Sequence, residues 1–242
     1  MNQVVDRSHA IQNYLKLAEE ASEKADKFRN YYKATKLQCE SELIEDAQQT
    51  FTLVQNFKPE GVDALLKISK LAIMINPLSA PKELEDAVNR TEYTCSWALQ
   101  QSCGKMSCAQ VVAPALALIA RRYFQLHLDD KGKHYLQMAI TWSEYGGKLI
   151  EITQTDLKVV KTCVKGNQLD TCLTVVKKME EYIPFYEMND IQASFMLTLA
   201  ELILPIDKEY GKTLLSKAEG WTNKNDEKAL KELERVTQLY NT

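Results

Sequence analysis

What most constrains this chain is its punctuation. Segments with apolar residues three and four apart are cut, roughly every 20 residues, by short groups of Gly, Pro or Asn. Ile11, Tyr14, Leu15, Ala18 and Ala21 set the rhythm at the start. The spacing predicts helices over about 24–39, 42–56, 61–75, 81–101, 107–127, 130–148, 152–165, 168–182, 189–204, 207–222 and 225–240, and no strand. Pro59-Glu60-Gly61, Gly146-Gly147, Gly166-Asn167, Pro205-Ile206-Asp207 and Asn223-Lys224-Asn225 separate them. Pro81 suits a first helical turn, where its missing N–H costs nothing. Pro114 inside 107–127 predicts a kink or a later helix start. Connections this short make sequence neighbours pack antiparallel, so about twelve helices form a single all-α domain, 1–242.

Internal similarity narrows the architecture further. Gly132-Lys133-His134-Tyr135-Leu136-Gln137-Met138-Ala139 and Gly211-Lys212-Thr213-Leu214-Leu215-Ser216-Lys217-Ala218 share G-K-x-x-L-x-x-A, 79 residues apart. Cys172-Leu173-Thr174-Val175-Val176 keeps the same rhythm at offsets of 40 and 39. The helices before these elements correspond as well: Leu116, Ile119, Ala120 and Tyr123; Leu157, Val160 and Cys163; Leu199, Ala200 and Ile203. A small residue at the start of a second helix lets it approach the first, and larger aliphatics fill the groove between pairs. The expected fold is a short α-solenoid of stacked antiparallel helix pairs, clearest over 107–222, with the helices in 1–105 less regular.

The stretch Leu116-Ala117-Leu118-Ile119-Ala120-Arg121-Arg122-Tyr123-Phe124, followed by Gly132, Leu136, Ala139 and Ile140, resembles the tetratricopeptide repeat family. The period is nearer 40 than that family's 34, and Glu144 stands where its terminal proline would fall. Armadillo- or HEAT-type pairs stay open alongside it. In tetratricopeptide stacks the first helices line a concave surface that holds an extended or helical peptide. Carried over, the resemblance nominates Arg121, Phe124, Gln125, Lys158, Lys161 and Lys165 as a basic groove for an acidic protein segment. Lys158, Lys161 and Lys165 also share one helix face opposite Leu157, Val160 and Val164. Glu201, near the equivalent place one helix on, interrupts the basic run.

Chemistry is sparse. His9, His127 and His134 form no HExxH pair, although His127 and His134 flank the Leu128-Asp129-Asp130 turn. Cys103 and Cys108 form no four-ligand zinc pattern, and no second pair follows. The six cysteines read as reduced, mostly buried thiols. No GxGxxG, GxxxxGK[ST] or GxSxG element is present, so neither an enzyme nor a cofactor or metal is expected. The net charge of −3 argues against a general nucleic-acid partner. No apolar run reaches membrane-span or signal-peptide length, which predicts a cytoplasmic chain.

The expected function is therefore a protein–protein interaction scaffold, free or within a larger assembly. Two alternatives compete. Leu17-Ala18-Glu19-Glu20-Ala21 and Arg122-Tyr123 resemble the phosphopeptide-binding 14-3-3 family, whose third helix supplies basic residues; Gln38 to Phe57 contains no Lys or Arg. An α-helical enzyme or ligand-binding bundle would need a buried polar cluster with shifted acidities.

Overall fold

A computed structural model describes residues 2–101 and 104–241. Among them lie twelve α-helices and no strand: α1 (Asn2–Glu20), α2 (Lys24–Glu40), α3 (Ile44–Asn56), α4 (Val62–Ile75), α5 (Ala80–Gln100), α6 (Gly104–Gln125), α7 (Asp129–Ser143), α8 (Leu149–Lys165), α9 (Leu169–Tyr182), α10 (Asn189–Ile203), α11 (Lys208–Trp221) and α12 (Glu227–Asn241). A 3-10 turn at Ile183–Phe185 follows α9, at the predicted Pro184 break.

Three boundaries differ from expectation by three residues or more: the starts of α6 and α8, the latter at Leu149 rather than 152, and the end of α7. Helix α6 begins at Gly104 and runs through Pro114. Gly104 is a close-approach residue rather than a breaker: a β-carbon there would stand 2.9 Å from the Ala98 Cα at the end of α5. Pro114 leaves the Gln110 carbonyl without its helical donor, and Gln110 lies on the exposed side of α6. Helix α7 ends at Ser143, five residues before the predicted 148, with Gly146 and Gly147 in the turn beyond.

The pairs α2/α3, α4/α5, α6/α7, α8/α9 and α10/α11 stack in order, flanked by α1 and α12. Each first helix packs on the next, α2 on α4, α4 on α6, α6 on α8, α8 on α10 and α10 on α12. The second helices do not pack on one another to the same extent. They are bridged instead by side chains, the Tyr135 hydroxyl donating to Glu92 at 2.7 Å and that of Tyr210 to Glu180 at 2.5 Å. A stack closed on one side and splayed on the other bends toward the closed side, so the first-helix row lies on the inner face.

Three of the five turns within pairs are built identically. The chain enters the left-handed region at Glu42 (φ 61°), His127 (φ 56°) and Asn167 (φ 52°). The next residue's N–H then reaches back five positions: Leu43 to Gln38 O at 2.9 Å, Leu128 to Tyr123 O at 2.9 Å, and Gln168 to Cys163 O at 2.9 Å. This Schellman closure satisfies carbonyls that a helix end would otherwise leave open. Four residues later the second helix places a small buried residue, Ala47, Gly132 or Cys172. The repeat therefore reaches back into α2/α3. The α4/α5 and α10/α11 turns, which carry Pro77 and Pro205, are built differently.

The predicted small-residue logic holds at Gly132, which faces Phe124 of the first helix α6, but at Gly211 the space is taken by Tyr240 of α12 rather than by the first helix α10. A β-carbon on Gly132 would lie 2.6 Å from the Phe124 ring, and one on Gly211 would lie 2.8 Å from Cζ of Tyr240. One core runs from α4 to α12 through Leu84, Leu116, Ile119, Val160, Cys163, Met196, Leu199 and Leu214, all essentially inaccessible. A smaller one, centred on Phe28, Tyr31, Val54, Ile68 and Leu71, joins α2, α3 and α4 with α1. Each buried Leu or Ile contributes about 1.5–3 kcal/mol by leaving water. Helix propensities differ by at most about 0.7 kcal/mol among ordinary residues, so packing between pairs holds the stack. No helix among the described residues is long and apolar enough to cross a membrane.

Candidate functional site

Five cations stand on consecutive first helices: Lys36 on α2, Lys70 on α4, Arg121 and Arg122 on α6, and Lys165 at the end of α8. Arg121 and Arg122 are adjacent and so point about 100° apart around α6. Arg122 is 6% exposed, and its Nη1 donates to Gln125 Oε1 at 2.7 Å. The Nε atoms of both arginines are buried and have no hydrogen-bond acceptor.

The electrostatics record how close these groups sit. Burial, followed by the charge of Arg121, pulls the Arg122 guanidinium down to about 10. Lys70 is lowered by burial first, then by Lys36, Arg122 and Arg121, with Glu40 opposing. Lys165 is lowered by Arg121 first, then by burial and Arg122. The nearby acids are already engaged, Glu40 with Lys36 at 3.3 Å and Asp63 with Lys67 at 2.6 Å. Among the described residues no carboxylate comes within ion-pair distance of Lys70, Arg121, Arg122 or Lys165.

Of the residues nominated from sequence, Arg121 and Lys165 come together here, and Gln125 anchors Arg122 from an exposed position. Lys158 and Lys161 are exposed on α8, N-terminal to Lys165. Phe124 does not belong to a groove. It is 6% exposed, its ring wedged between Gly132 and Gly166. The interruption expected from Glu201 is also removed, because Arg235 on α12 grips both its carboxylate oxygens, at 3.0 and 2.7 Å. Lys36 and Lys70 were missed. Each looks like an ordinary helical lysine until α2 and α4 are stacked against α6.

A buried titratable cluster does exist elsewhere. Asp156 on α8 is 1% exposed and accepts from the Tyr182 hydroxyl at 2.9 Å, with Lys178 Nζ 3.8 Å away. Burial raises its carboxyl despite Lys178, Ser143 and Tyr182, which all favour the charged form. Beside it the Thr153 and Tyr186 hydroxyls meet at 2.6 Å. The gap next to Ser143 and Thr155 is too narrow for a water molecule. This network ties α8 to α9.

A pocket of about 580 Å³ opens between the α3–α4 turn and α5. Its charges are balanced, with Lys58 paired to Asp86 at 3.7 Å and Glu60 facing the same space as Arg90. His134 lies exposed against the edge of Tyr135, with ring centres 5.0 Å apart. No group of three or more His, Cys, Asp or Glu suited to a metal ion forms among the described residues. Cys39, Cys95, Cys108, Cys163 and Cys172 are free thiols, and burial pushes Cys95 and Cys172 up to about 11 and Cys163 to about 12. The Cys103 half of the sequence pair lies outside the described residues. No family model, curated protein or solved structure matches this chain.

Proposed function

We propose that this chain is a non-enzymatic protein–protein interaction scaffold of tetratricopeptide-like type, holding an acidic segment of a partner along the inner row of first helices. The observation that carries the reading is that four cations on that row, Lys70, Arg121, Arg122 and Lys165, have no carboxylate within ion-pair distance among the described residues. Fixed positive charges on the inside of a curved stack attract a chain carrying negative charge, and arginine forks grip it with direction. A cytoplasmic location, membership of a larger assembly, and the lack of a nucleic-acid partner belong to the same reading.

The test is affinity capture with mass spectrometry, using the whole chain and a Lys158→Glu/Lys161→Glu/Lys165→Glu triple variant. One stoichiometric protein should be recovered by the first and lost by the second. Capture that survives the triple reversal sinks the basic-groove assignment.

A further inference from the structure

We propose that the cavity between the α3–α4 turn and α5 binds a small zwitterionic molecule with an apolar side chain, of the class of a free amino acid or a dipeptide. The site stands apart from the cations of the first-helix row, so it and the scaffold reading can fail separately.

The cavity arises where the second helices α3 and α5 are spanned by polar side chains. Gln55 donates to Glu83 at 3.0 Å, and Lys58 meets Asp86 at 3.7 Å. One turn further along α5 this closure stops. Arg90 lines the cavity from α5 and Glu60 lines it from the turn. Among the described residues, neither has an opposite charge within ion-pair distance. Asp86, four residues before Arg90 and spaced to pair with it on the helix, goes to Lys58 instead. Two opposite charges thus border one space of about 580 Å³ without closing it. That volume falls within the roughly 300–1,000 Å³ of small-molecule sites.

The turn keeps its wall recessed. Gly61 has φ 135°, a conformation that suits glycine, and a β-carbon there would meet nothing within 4 Å. Pro59, Leu65 and the Tyr93 ring, 66% exposed, add apolar wall to the same cavity. A few polar groups set in an apolar wall are what orient a small ligand. A ligand with one charge would satisfy Arg90 or Glu60 and leave the other unmatched. A zwitterion answers both: the Arg90 fork holds its carboxylate with two parallel hydrogen bonds, and Glu60 accepts from its ammonium. The apolar side chain of the ligand then covers Leu65 and Pro59.

Isothermal titration calorimetry tests this on the full chain. The probes are leucine, leucyl-leucine, and the dipeptide acetylated at its N-terminus, amidated at its C-terminus, or both. At least one free zwitterion should bind, about 10-fold or more tightly than the doubly capped dipeptide. Arg90→Gln should make binding indifferent to amidation, and Glu60→Gln should make it indifferent to acetylation. Lys82→Gln, on α5 outside the cavity, should leave binding unchanged. All three positions are exposed, and the helical circular dichroism signal should be retained. Binding of leucyl-leucine without leucine assigns the site to dipeptides, and the reverse assigns it to single amino acids. The proposal is overturned if neither zwitterion binds at millimolar concentration, or if the doubly capped dipeptide binds as well as the free one. It is overturned equally if either cavity variant keeps its discrimination, or if Lys82→Gln loses binding to the same extent.

Discussion

Phe124 and Gly132 are in contact so close that no β-carbon fits between them, since one built on Gly132 would stand 2.6 Å from the ring. Gly166 closes the opposite edge of the ring, where a β-carbon built on it would stand 2.5 Å away. In an ordinary helix interior, Gly→Ala gains up to about 1 kcal/mol. At Gly132 the overpacking of a ring held on both edges outweighs that gain, and Gly132→Ala should lose about 1–3 kcal/mol. Gly220, with nothing within 4 Å of its would-be β-carbon, is the internal control, and Gly220→Ala should be neutral or stabilising. Urea denaturation of the two variants decides it; equal effects would mean that the ring is not confined.

The three Schellman turns make a second prediction. Left-handed backbone costs a residue with a β-carbon about 1–2 kcal/mol, less for Asn, and nothing for Gly. His127→Gly and Glu42→Gly should therefore stabilise by about 0.5–1 kcal/mol after allowing for the extra freedom of glycine when unfolded. Asn167→Gly should gain less. Thermal melts of the three single variants would show this order, and a loss at His127 would contradict the turn geometry.

These turns also mark where sequence reading reaches its limit. Helix positions and the small residues Gly132, Cys172 and Gly211 were legible, because periodicity and the tight packing of helix pairs are local properties of the chain. Of the left-handed residues only Asn167 was legible, within the Gly166-Asn167 break; Glu42 is a poor choice for that conformation and His127 a weak signal for it. Gly104 read as a breaker because composition cannot distinguish a glycine that ends a helix from one that lets two helices touch. Phe124 was misplaced because the resemblance assigned a groove role to the polar end of a first helix as a whole, whereas the ring turns inward between Gly132 and Gly166. The charge cluster needed tertiary stacking, which brings Lys36 on α2 and Arg121 and Arg122 on α6 close enough to Lys70 on α4 to act on its charge. Glu201 looked like a break in the groove until Arg235, 34 residues later, was seen to hold it.

The Asp156 network gives stability a dependence on acidity. Its carboxyl is raised above the ordinary value of 3.8, chiefly by burial, so the folded state holds the proton more firmly than the unfolded chain does. That contribution is fully present below the unfolded value and is lost as pH rises through the folded one. Asp156→Asn removes the titration. The stability of the natural chain relative to this variant should fall as pH rises above about 4, measured by urea denaturation at fixed ionic strength from pH 3.5 to 7. A flat difference would show that Lys178 and Tyr182 fully offset the burial.

Lys165 separates a binding cluster from ordinary surface charge. If it is held beside Arg121 for a ligand, the free protein bears the repulsion, and removing it should stabilise the fold while harming binding. Lys165→Glu replaces a like charge with an opposite one next to Arg121. Discounted for exposure, the gain should be about 0.3–1 kcal/mol at low salt. Lys161→Glu, on the same helix face, should stay within about 0.5 kcal/mol of the natural chain. In about 1 M salt the screening length shrinks to ~3 Å, and the difference between the two variants should nearly vanish. Urea midpoints at two salt concentrations settle the matter. A Lys165→Glu variant no more stable than Lys161→Glu at low salt would mean that the cations on the inner face do not repel, and the cluster would lose its claim to be a site.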